Sequence, residues 1–396
     1  MIRKLLPILG ITFVDILGFS ILIPSLPFLA TDLHASPFTI GVLFSTFSLC
    51  QLIAGPVWGN ISDRIGRKGV LIVSQIGATI GWAMLAYAPT IWFIFLARIV
   101  EGVSGGNIGV TQAYVADLVT PKERARAFSY ISATFAAGMA FGPLIGAAFL
   151  RYGHSAPFLA AAALQLLTLI ITVIMLPESR AKTDEPNVGY KEILRTFQNG
   201  ELSPLLWQKL ALALSLYAWF SVITLYMIYQ LHFSQGQTYY FYSIFAVLNV
   251  IANVGGVGRA SDKFGDRTMA LIGIGSLVAA FALVPFAHEF LFMIPIMALF
   301  SVGMAFANTG LTALISGTVD ERRQGTVLGV TSSLDSLSGI VSPPISTGLL
   351  GRFGSPWASA ASLFFAVIAF ALGLRVHTNE KRRGRAAAQT VPETGS

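Results

Sequence analysis

Charged side chains are scarce in this chain of 396 residues. Asp, Glu, Lys and Arg together make up 11% of it, against about 25% in ordinary soluble proteins, whereas hydrophobic residues make up 54%. The mean hydropathy is +0.70. The apolar runs are each about 20 residues long, which is the length that crosses a bilayer as a helix. These features predict an integral membrane protein.

Other absences narrow the class further. The single cysteine, Cys50, excludes an intramolecular disulfide and a cysteine metal cluster, and the five histidines lack the spacing of metal ligands. No G-x-x-x-x-G-K-[ST] phosphate loop and no plausible hydrolytic triad occur, so we predict no cofactor and no enzyme activity. Alternating strands are also missing, and a spanning chain must satisfy its backbone polar groups internally. Helices therefore remain, and the predicted fold class is an all-α membrane protein.

Twelve apolar segments fit as transmembrane helices, six before residue 178 and six after residue 204. The predicted domains are an N-terminal six-helix bundle (1–177), a cytoplasmic linker (178–204), a C-terminal six-helix bundle (205–377) and a disordered cytoplasmic tail (378–396). The spans lie near 5–29, 39–59, 69–88, 90–116, 126–150, 156–176, 205–230, 237–257, 268–287, 289–315, 324–350 and 356–376.

The distribution of Lys and Arg indicates the orientation. With the N-terminus in the cytoplasm, all but three of the 26 basic residues fall on the cytoplasmic side; the exceptions are Arg98 within a span and Arg151 and Arg352 in outer loops. This positive-inside bias predicts a multi-pass protein of the cell inner membrane with both termini cytoplasmic. Contact of basic loops with anionic lipid accounts for the net charge of +7, so no nucleic-acid partner is predicted.

One polar stretch occurs twice. Residues 59–68 read GNISDRIGRK, and residues 258–267, which lie 199 positions later, read GRASDKFGDR. A signature that returns after about half the chain indicates two copies of one unit, as in many secondary transporters. Both copies fall in equivalent cytoplasmic turns, after spans 2 and 8. Arg124 after span 4 and Arg323 after span 10 repeat the same offset.

The first copy resembles the signature G-x-x-x-D-R-x-G-R-K of the major facilitator superfamily, and two pseudo-symmetric bundles of six spans are similar to its fold. The resemblance implies a cytoplasmic gate, in which Asp63 reaches the N-terminus of span 11 in one state and Arg67 pairs with Asp117 at the end of span 4. In the second copy Asp266 replaces a basic residue, which predicts a weaker half-gate. The predicted gate residues are Gly59, Asp63, Arg64, Gly66, Arg67, Lys68, Asp117, Arg124, Asp262 and Gly265.

Span 5 contains a second motif. Residues 138–147, GMAFGPLIGA, resemble the superfamily's antiporter motif G-x-x-x-G-P-x-x-G-G. Glycines four residues apart share a helix face, so Gly138, Gly142 and Gly146 predict close helix packing beside a kink at Pro143. Generic helix packing is the alternative to an antiporter role.

Four ionisable residues are predicted well inside the spans and are the candidates for proton coupling: Asp15, Arg98, Glu101 and Asp335. Arg98 begins a stretch that resembles the R-x-x-x-G motif of proton-coupled members, and Glu101 shares its helix face. Asp15, in the sequence DILG, resembles the first span of the tetracycline exporters among the drug:proton antiporters. A charge inside the bilayer is costly, and such residues usually serve transport. A structural ion pair, or a static hydrogen-bonded acid, is the alternative.

Intramembrane amides and deep aromatics are candidates for a substrate cavity, although hydrogen bonding between helices explains the amides equally well. They are Gln51, Asn107, Tyr217, Trp219, Asn249, Asn253 and Asn308. The resemblance implies a monomeric antiporter that exports a tetracycline-like or other amphipathic small molecule in exchange for protons, by alternating access. An exporter of a native metabolite, lipid or sugar, and a sensor that moves nothing, are the alternatives.

Overall fold

The computed structural model describes residues 2–105, 108–120, 123–179, 202–319 and 324–389. These ranges are almost entirely helical and contain no strand. Ten of their helical segments are long and apolar enough to cross a membrane. Many apolar side chains point outward, including Ile53, Ile174 and Val254. Such a surface suits lipid rather than water, and the prediction of an all-α membrane protein is confirmed.

Seven helices form the described part of the N-terminal half. Ser36 caps the second helix, where its hydroxyl accepts a hydrogen bond from the Thr39 N–H (3.2 Å) and Pro37 follows at the first helical position. The predicted fourth span is formed by two of the helices, α4 and α5. The helices are α1 Ile2–Asp32, α2 Pro37–Ile65, α3 Arg67–Ala86, α4 Ile91–Ser104, α5 Ile108–Leu118, α6 Arg124–Leu150 and α7 Ala156–Met175.

Six helices form the described part of the C-terminal half. A π-helical segment, Ala252–Val257, joins the second of them to the third. The first is the most enclosed of the spanning helices, with 78% of its most apolar stretch buried. The helices are α8 Ser203–Tyr229, α9 Gln235–Ile251, α10 Gly258–Leu283, α11 Phe290–Gly317, α12 Gln324–Phe353 and α13 Ala360–Gln389.

Two details depart from the expected boundaries. The apolar segment Gln235–Phe286 runs through two predicted spans, which are separated by a kink at Gly265. Helix α13 continues to Gln389, so residues 378–389 are helical where the sequence predicted a disordered tail. A run of three alanines just before Gln389 favours this extension, because alanine has the highest helix propensity.

The internal duplication is visible in the backbone. Gly66 ends α2 with φ 105° and ψ 155°, and Gly265, 199 residues later, has φ 75° and ψ 156°. Side-chain-bearing residues avoid this combination of dihedrals, so glycine is needed at both turns. The two copies of the polar stretch therefore make the same sharp turn between consecutive spans.

The hydrogen bonds described between the two halves lie at one end of the molecule, the end that holds the α1–α2 loop (33–36). We call it the closed end. A side chain at Gly146 of α6 would collide there with the ring of Tyr239, so these helices touch closely across the halves. Four hydrogen-bonded pairs are described: Ser25 with Tyr239, Ser45 with the Ile340 carbonyl (2.6 Å), His154 with Gln235 (2.8 Å) and Thr224 with the Ile23 carbonyl (3.4 Å).

Candidate functional site

A cavity of about 190 Å³ lies between the halves. Helices α1 and α6 form one wall, and α8, α9, the following π-helical segment and α11 form the other. Its described lining is apolar and aromatic with a few uncharged polar side chains, and it includes no Asp, Glu, Lys, Arg or His. The polar members are Ser20, Tyr242, Asn249, Asn253, Asn308 and Thr309, and the larger apolar ones include Phe135, Met139, Pro143, Phe220, Phe245 and Met304.

Three of the predicted cavity residues belong to this lining, namely Asn249, Asn253 and Asn308. The Nδ2 of Asn253 donates to the backbone carbonyl of Asn249 (2.9 Å) and to its Oδ1 (3.0 Å). Asn253 lies in the π-helical segment. Widened helical turns of this kind occur frequently at functional sites.

The other predicted cavity residues lie elsewhere. Gln51 of α2 donates from Nε2 to the Gly105 carbonyl (3.0 Å), which joins α2 to the end of α4. Tyr217 packs against Gly339 of α12. Trp219 stacks within an aromatic cluster, with its ring centroid 5.3 Å from that of Phe281, beside a smaller apolar pocket. Asn107 lies outside the described residues.

The predicted acid of α1 is hydrogen-bonded to α7. The Nε2 of Gln165 donates to Oδ1 of Asp15 at 2.9 Å. Gln165 is buried, with 1% exposure, while Asp15 is partly exposed. The carboxyl group is therefore held at mid-span between two helices of the N-terminal half, on the helix that contributes Ser20 to the cavity.

The Arg98–Glu101 pair of α4 is fully enclosed. Their side chains are 2% and 5% exposed, and Nη1 of Arg98 contacts Oε2 of Glu101. The contact is not aligned as a hydrogen bond, and both carboxylate oxygens lack hydrogen-bond partners among the described residues. The guanidinium lies 4.5 Å above the Phe47 ring. Each ion is thus stabilised mainly by the other, and removal of either partner would be strongly destabilising because it leaves a buried charge uncompensated.

One buried charge was missed by the sequence reasoning, which counted Lys209 among the cytoplasmic cations. Lys209 is 8% exposed within α8. Its Nζ lies 3.4 Å from Oδ1 of Asp335 on α12 and 3.3 Å from Oδ1 of Asn308 on α11. Asp335 therefore has a cation for a partner, and Asn308 connects this pair to the cavity. The only sequence signal was the position of Lys209 just inside span 205–230.

The turn between α2 and α3 is the predicted gate, and Arg67 is its centre. Arg67 is 5% exposed, forms an ion pair with Asp63 and donates from Nη1 to the Ser62 hydroxyl (2.5 Å). The implied pair with Asp117 is present, with 3.5 Å between Nε and Oδ2. The same Oδ2 accepts a hydrogen bond from Ser179 (3.0 Å). The turn is thus tied to the end of α5 and to the start of the predicted linker.

Glu178 is a further participant that the sequence did not reveal. Its Oε1 accepts a hydrogen bond from the backbone N–H of Lys68 (3.2 Å), in the first turn of α3. A carboxylate at this position is favourable because the N-terminus of a helix carries partial positive charge. The Lys68 ammonium donates to the Val173 carbonyl (2.8 Å) at the end of α7. The docking of Asp63 at the start of span 11 stays a prediction.

The second copy of the turn has a different polar arrangement. Where Ser62 accepts from Arg67, Ser261 donates to Oδ1 of Asp266 (2.5 Å). Asp262 is exposed. The side chain of Arg124 lies outside the described residues. The two turns share their backbone but not their charges.

The glycines of the span 5 motif contact two different helices. A Cβ at Gly138 would lie 2.9 Å from the Cβ of Ile16, and one at Gly142 would lie 2.8 Å from the Leu17 carbonyl oxygen. Both glycines therefore allow α1 to pack closely against α6. The Ser20 hydroxyl donates to the Gly138 carbonyl (3.0 Å). Gly146 faces Tyr239 in the other half. The motif therefore fixes α1 against α6 and reaches the closed end.

Known proteins are similar to this chain over nearly its whole length. The family described as Major Facilitator Superfamily matches residues 8–257 and 210–394. The class C tetracycline resistance protein of Escherichia coli is 31% identical over 92% of this chain and 94% of its own length. Multidrug resistance protein 2 of Bacillus subtilis (strain 168) is 27% identical over 95% of both. A bacterial homolog to the human lysosomal transporter Spinster, solved in an inward-facing and unoccupied conformation, has a TM-score of 0.78 at 15% identity and covers 94% of this chain and 96% of that one.

Proposed function

We propose that this chain, which belongs to the Major Facilitator Superfamily, exports a small amphipathic compound in exchange for protons. Relatives named for resistance to tetracycline and to multiple drugs support this class of substrate. The observation that carries the proposal is the cavity between the two halves. The hydrogen bonds described between these halves lie at the closed end. Such a cavity becomes accessible from alternate sides when the halves rock about it.

The charge distribution supports an orientation for this cycle. Basic residues concentrate on the side of the gate turn, which supports a cytoplasmic position for that turn and an outer position for the closed end. The described conformation is then inward-facing, ready to take a compound from the cytoplasm. Asp117 contacts both Arg67 and Ser179, so the gate turn is tied to the start of the predicted linker between the halves.

Protons supply the energy in this proposal, and Asp15 is the proposed carrier. Its carboxyl lies at mid-span on α1, the helix that lines the cavity through Ser20 and touches the other half through Ser25. A change in its charge therefore acts on the helix that links the cavity to the closed end. One unit charge that crosses 100 mV supplies about 2.3 kcal/mol. The Arg98–Glu101 and Lys209–Asp335 pairs are proposed to assist the coupling.

Transport into proteoliposomes under an imposed pH gradient tests this role. We expect Asp15→Asn to lose pH-driven accumulation of tetracycline by about tenfold or more while still exchanging the drug down its own gradient, since neutralisation removes one charge step worth about 1.4 kcal/mol or more. The matched control is Asp32→Asn, the same change at the exposed end of the same helix, which should transport like the wild type.

Three outcomes have distinct meanings. Full pH-driven transport by Asp15→Asn removes Asp15 from the mechanism but leaves export intact. Accumulation by the wild type that ignores the pH gradient removes proton coupling. Failure of the wild type to move any compound of a drug panel favours export of a native metabolite, or a sensor if a compound binds without moving.

A further inference from the structure

We propose that Lys209 sets the orientation of the Asn308 side-chain amide, so that Asn308 offers the substrate a hydrogen-bond donor and the cavity selects compounds with an acceptor oxygen. This inference rests on the proposed function, since it concerns the compound that the same cavity takes. Lys209 is a positioning residue here, because it acts through Asn308 and is not part of the described lining.

The orientation of the amide follows from its contact with an ammonium group. Such a group has three hydrogens to donate and no lone pair with which to accept. The Asn308 atom that lies 3.3 Å from Nζ of Lys209 must therefore be the oxygen, Oδ1. Lys209 is buried, with 8% exposure, and Oδ1 of Asp335 lies 3.4 Å from its Nζ on another helix. The ammonium is thus held in place, and it fixes the amide in one of its two orientations.

The NH2 group of Asn308 is the end of the amide that remains for a ligand. Asn308 is half-buried and belongs to the cavity wall, beside the exposed Thr309. Its Nδ2 donates to no group among the described residues, where its one hydrogen bond is that of Oδ1 to Lys209. This nitrogen is also not one of the fully enclosed polar atoms without a partner, so part of its surface is accessible. A compound in the cavity can therefore reach it.

The other two amides of the described wall do not offer a donor in this way. The Nδ2 of Asn253 already donates to the backbone carbonyl and to Oδ1 of Asn249, at 2.9 and 3.0 Å. The Nδ2 of Asn249 is fully enclosed. Among these three side chains, Asn308 alone combines an unused NH2 group with access to the cavity.

The preference for an acceptor oxygen follows from this arrangement. Water can pair with the Asn308 NH2 group in the empty cavity. A compound that displaces this water without an acceptor of its own leaves the donor unpaired, which lowers affinity. The oxygen of the same amide is engaged by Lys209, so it is not free to accept from a compound that presents only donors.

The first test removes the donor with Asn308→Leu and measures equilibrium binding to the purified protein in detergent. Tetracycline carries several carbonyl oxygens, and we expect the variant to bind it about fivefold to tenfold more weakly than the wild type, the equivalent of one hydrogen bond. Tetraphenylphosphonium has no acceptor oxygen. Its affinity should be the same for both proteins, or undetectable in both.

The matched control is Gln237→Leu, which also exchanges an amide for leucine. Gln237 is exposed at the start of α9, where it caps the helix together with Ser234. Loss of the cap should lower the unfolding temperature. Tetracycline affinity should nevertheless equal that of the wild type, because this amide lies outside the described lining of the cavity.

The second test moves the counter-ion of Lys209. Asp335→Asn leaves the buried ammonium uncompensated and should lower the unfolding temperature. In the double variant with Asn308→Asp, the new carboxylate faces the same ammonium and should recover at least half of that loss. The double variant should still bind tetracycline at least tenfold more weakly than Asp335→Asn alone, because the cavity then meets a carboxylate oxygen in place of an NH2 group. A purely structural role of Lys209 predicts no such separation of stability from affinity.

Several results would overturn the inference while export stands. They are unchanged tetracycline affinity in Asn308→Leu, an equal loss of affinity for both probes, and wild-type binding of tetraphenylphosphonium without binding of tetracycline. Failure of the double variant to recover stability would refute the orientation set by Lys209. Failure of the wild type to bind either probe would instead remove the proposed function, and this inference with it.

Discussion

The two turn glycines allow a stability prediction with its control inside the same chain. Gly66 and Gly265 have nearly the same backbone conformation, with positive φ and ψ near 155°. Replacement by alanine should strain both turns by about 1–3 kcal/mol, because this region is accessible almost only to glycine. Their surroundings differ, however. No atom would lie within 4 Å of a Cβ at Gly265, whereas a Cβ at Gly66 would lie 2.5 Å from Oε1 of Glu178.

The extra loss at Gly66 is the loss of the Glu178 contact. The carboxylate must move away, and its hydrogen bond to the Lys68 N–H is then broken. Hydrogen bonds to charged groups contribute about 1.5–3 kcal/mol, but Glu178 is exposed and water replaces part of this one. We therefore expect Gly66→Ala to lower the free energy of unfolding by about 1 kcal/mol more than Gly265→Ala.

Denaturant unfolding of the purified protein in detergent, followed by tryptophan fluorescence, measures this difference. In a Glu178→Ala background the two alanine variants should become equally destabilising, because only the backbone strain remains. Equal losses in the wild-type background, or a larger loss at Gly265, would refute the reasoning.

Two further predictions concern the buried charges. Glu101→Gln should lower the free energy of unfolding by about 3–5 kcal/mol, because it leaves the Arg98 guanidinium uncompensated. The double variant with Arg98→Met should recover part of that loss in the same denaturation assay. A double variant no more stable than Glu101→Gln alone would contradict this. Lys209→Met and Asp335→Asn should show a coupling energy of about 1 kcal/mol in a double-mutant cycle. This is less than for a fully buried ion pair, because the Asp335 side chain is 37% exposed. A coupling energy near zero would mean that the pair does not contribute to stability.

The sequence predicted those features that repeat or that depend on local chemistry. The spans follow from apolar length, and the sharp turns follow from glycines at one offset, so both could be placed without coordinates. The pair of Arg67 and Asp117 came from a motif whose spacing is tied to a known fold. The order of the helices and the polar turns thus needed no knowledge of tertiary contacts.

Contacts across long sequence separations were not predictable in this way. Lys209 reads as a basic flank of span 7, and only the approach of α12 shows that it meets Asp335. Glu178 has linker-like neighbours, while its partner on Lys68 is 110 residues away. Trp219 sits at cavity depth, yet it faces Phe281 within its own half. Depth can be read from a sequence, but the face that a helix turns inward is decided by its neighbours.

The composition of the closed end determines how readily the two halves separate there. Its four described hydrogen bonds between the halves involve hydroxyls, one side-chain amide, an imidazole and backbone carbonyls, without an ion pair. At about 1 kcal/mol each, this polar seal amounts to about 4 kcal/mol. In the proposed cycle, one unit charge that crosses 100 mV supplies about 2.3 kcal/mol. The energy of the seal is thus within about a factor of two of what the proposed proton step supplies, which would allow the closed end to break and re-form in each cycle.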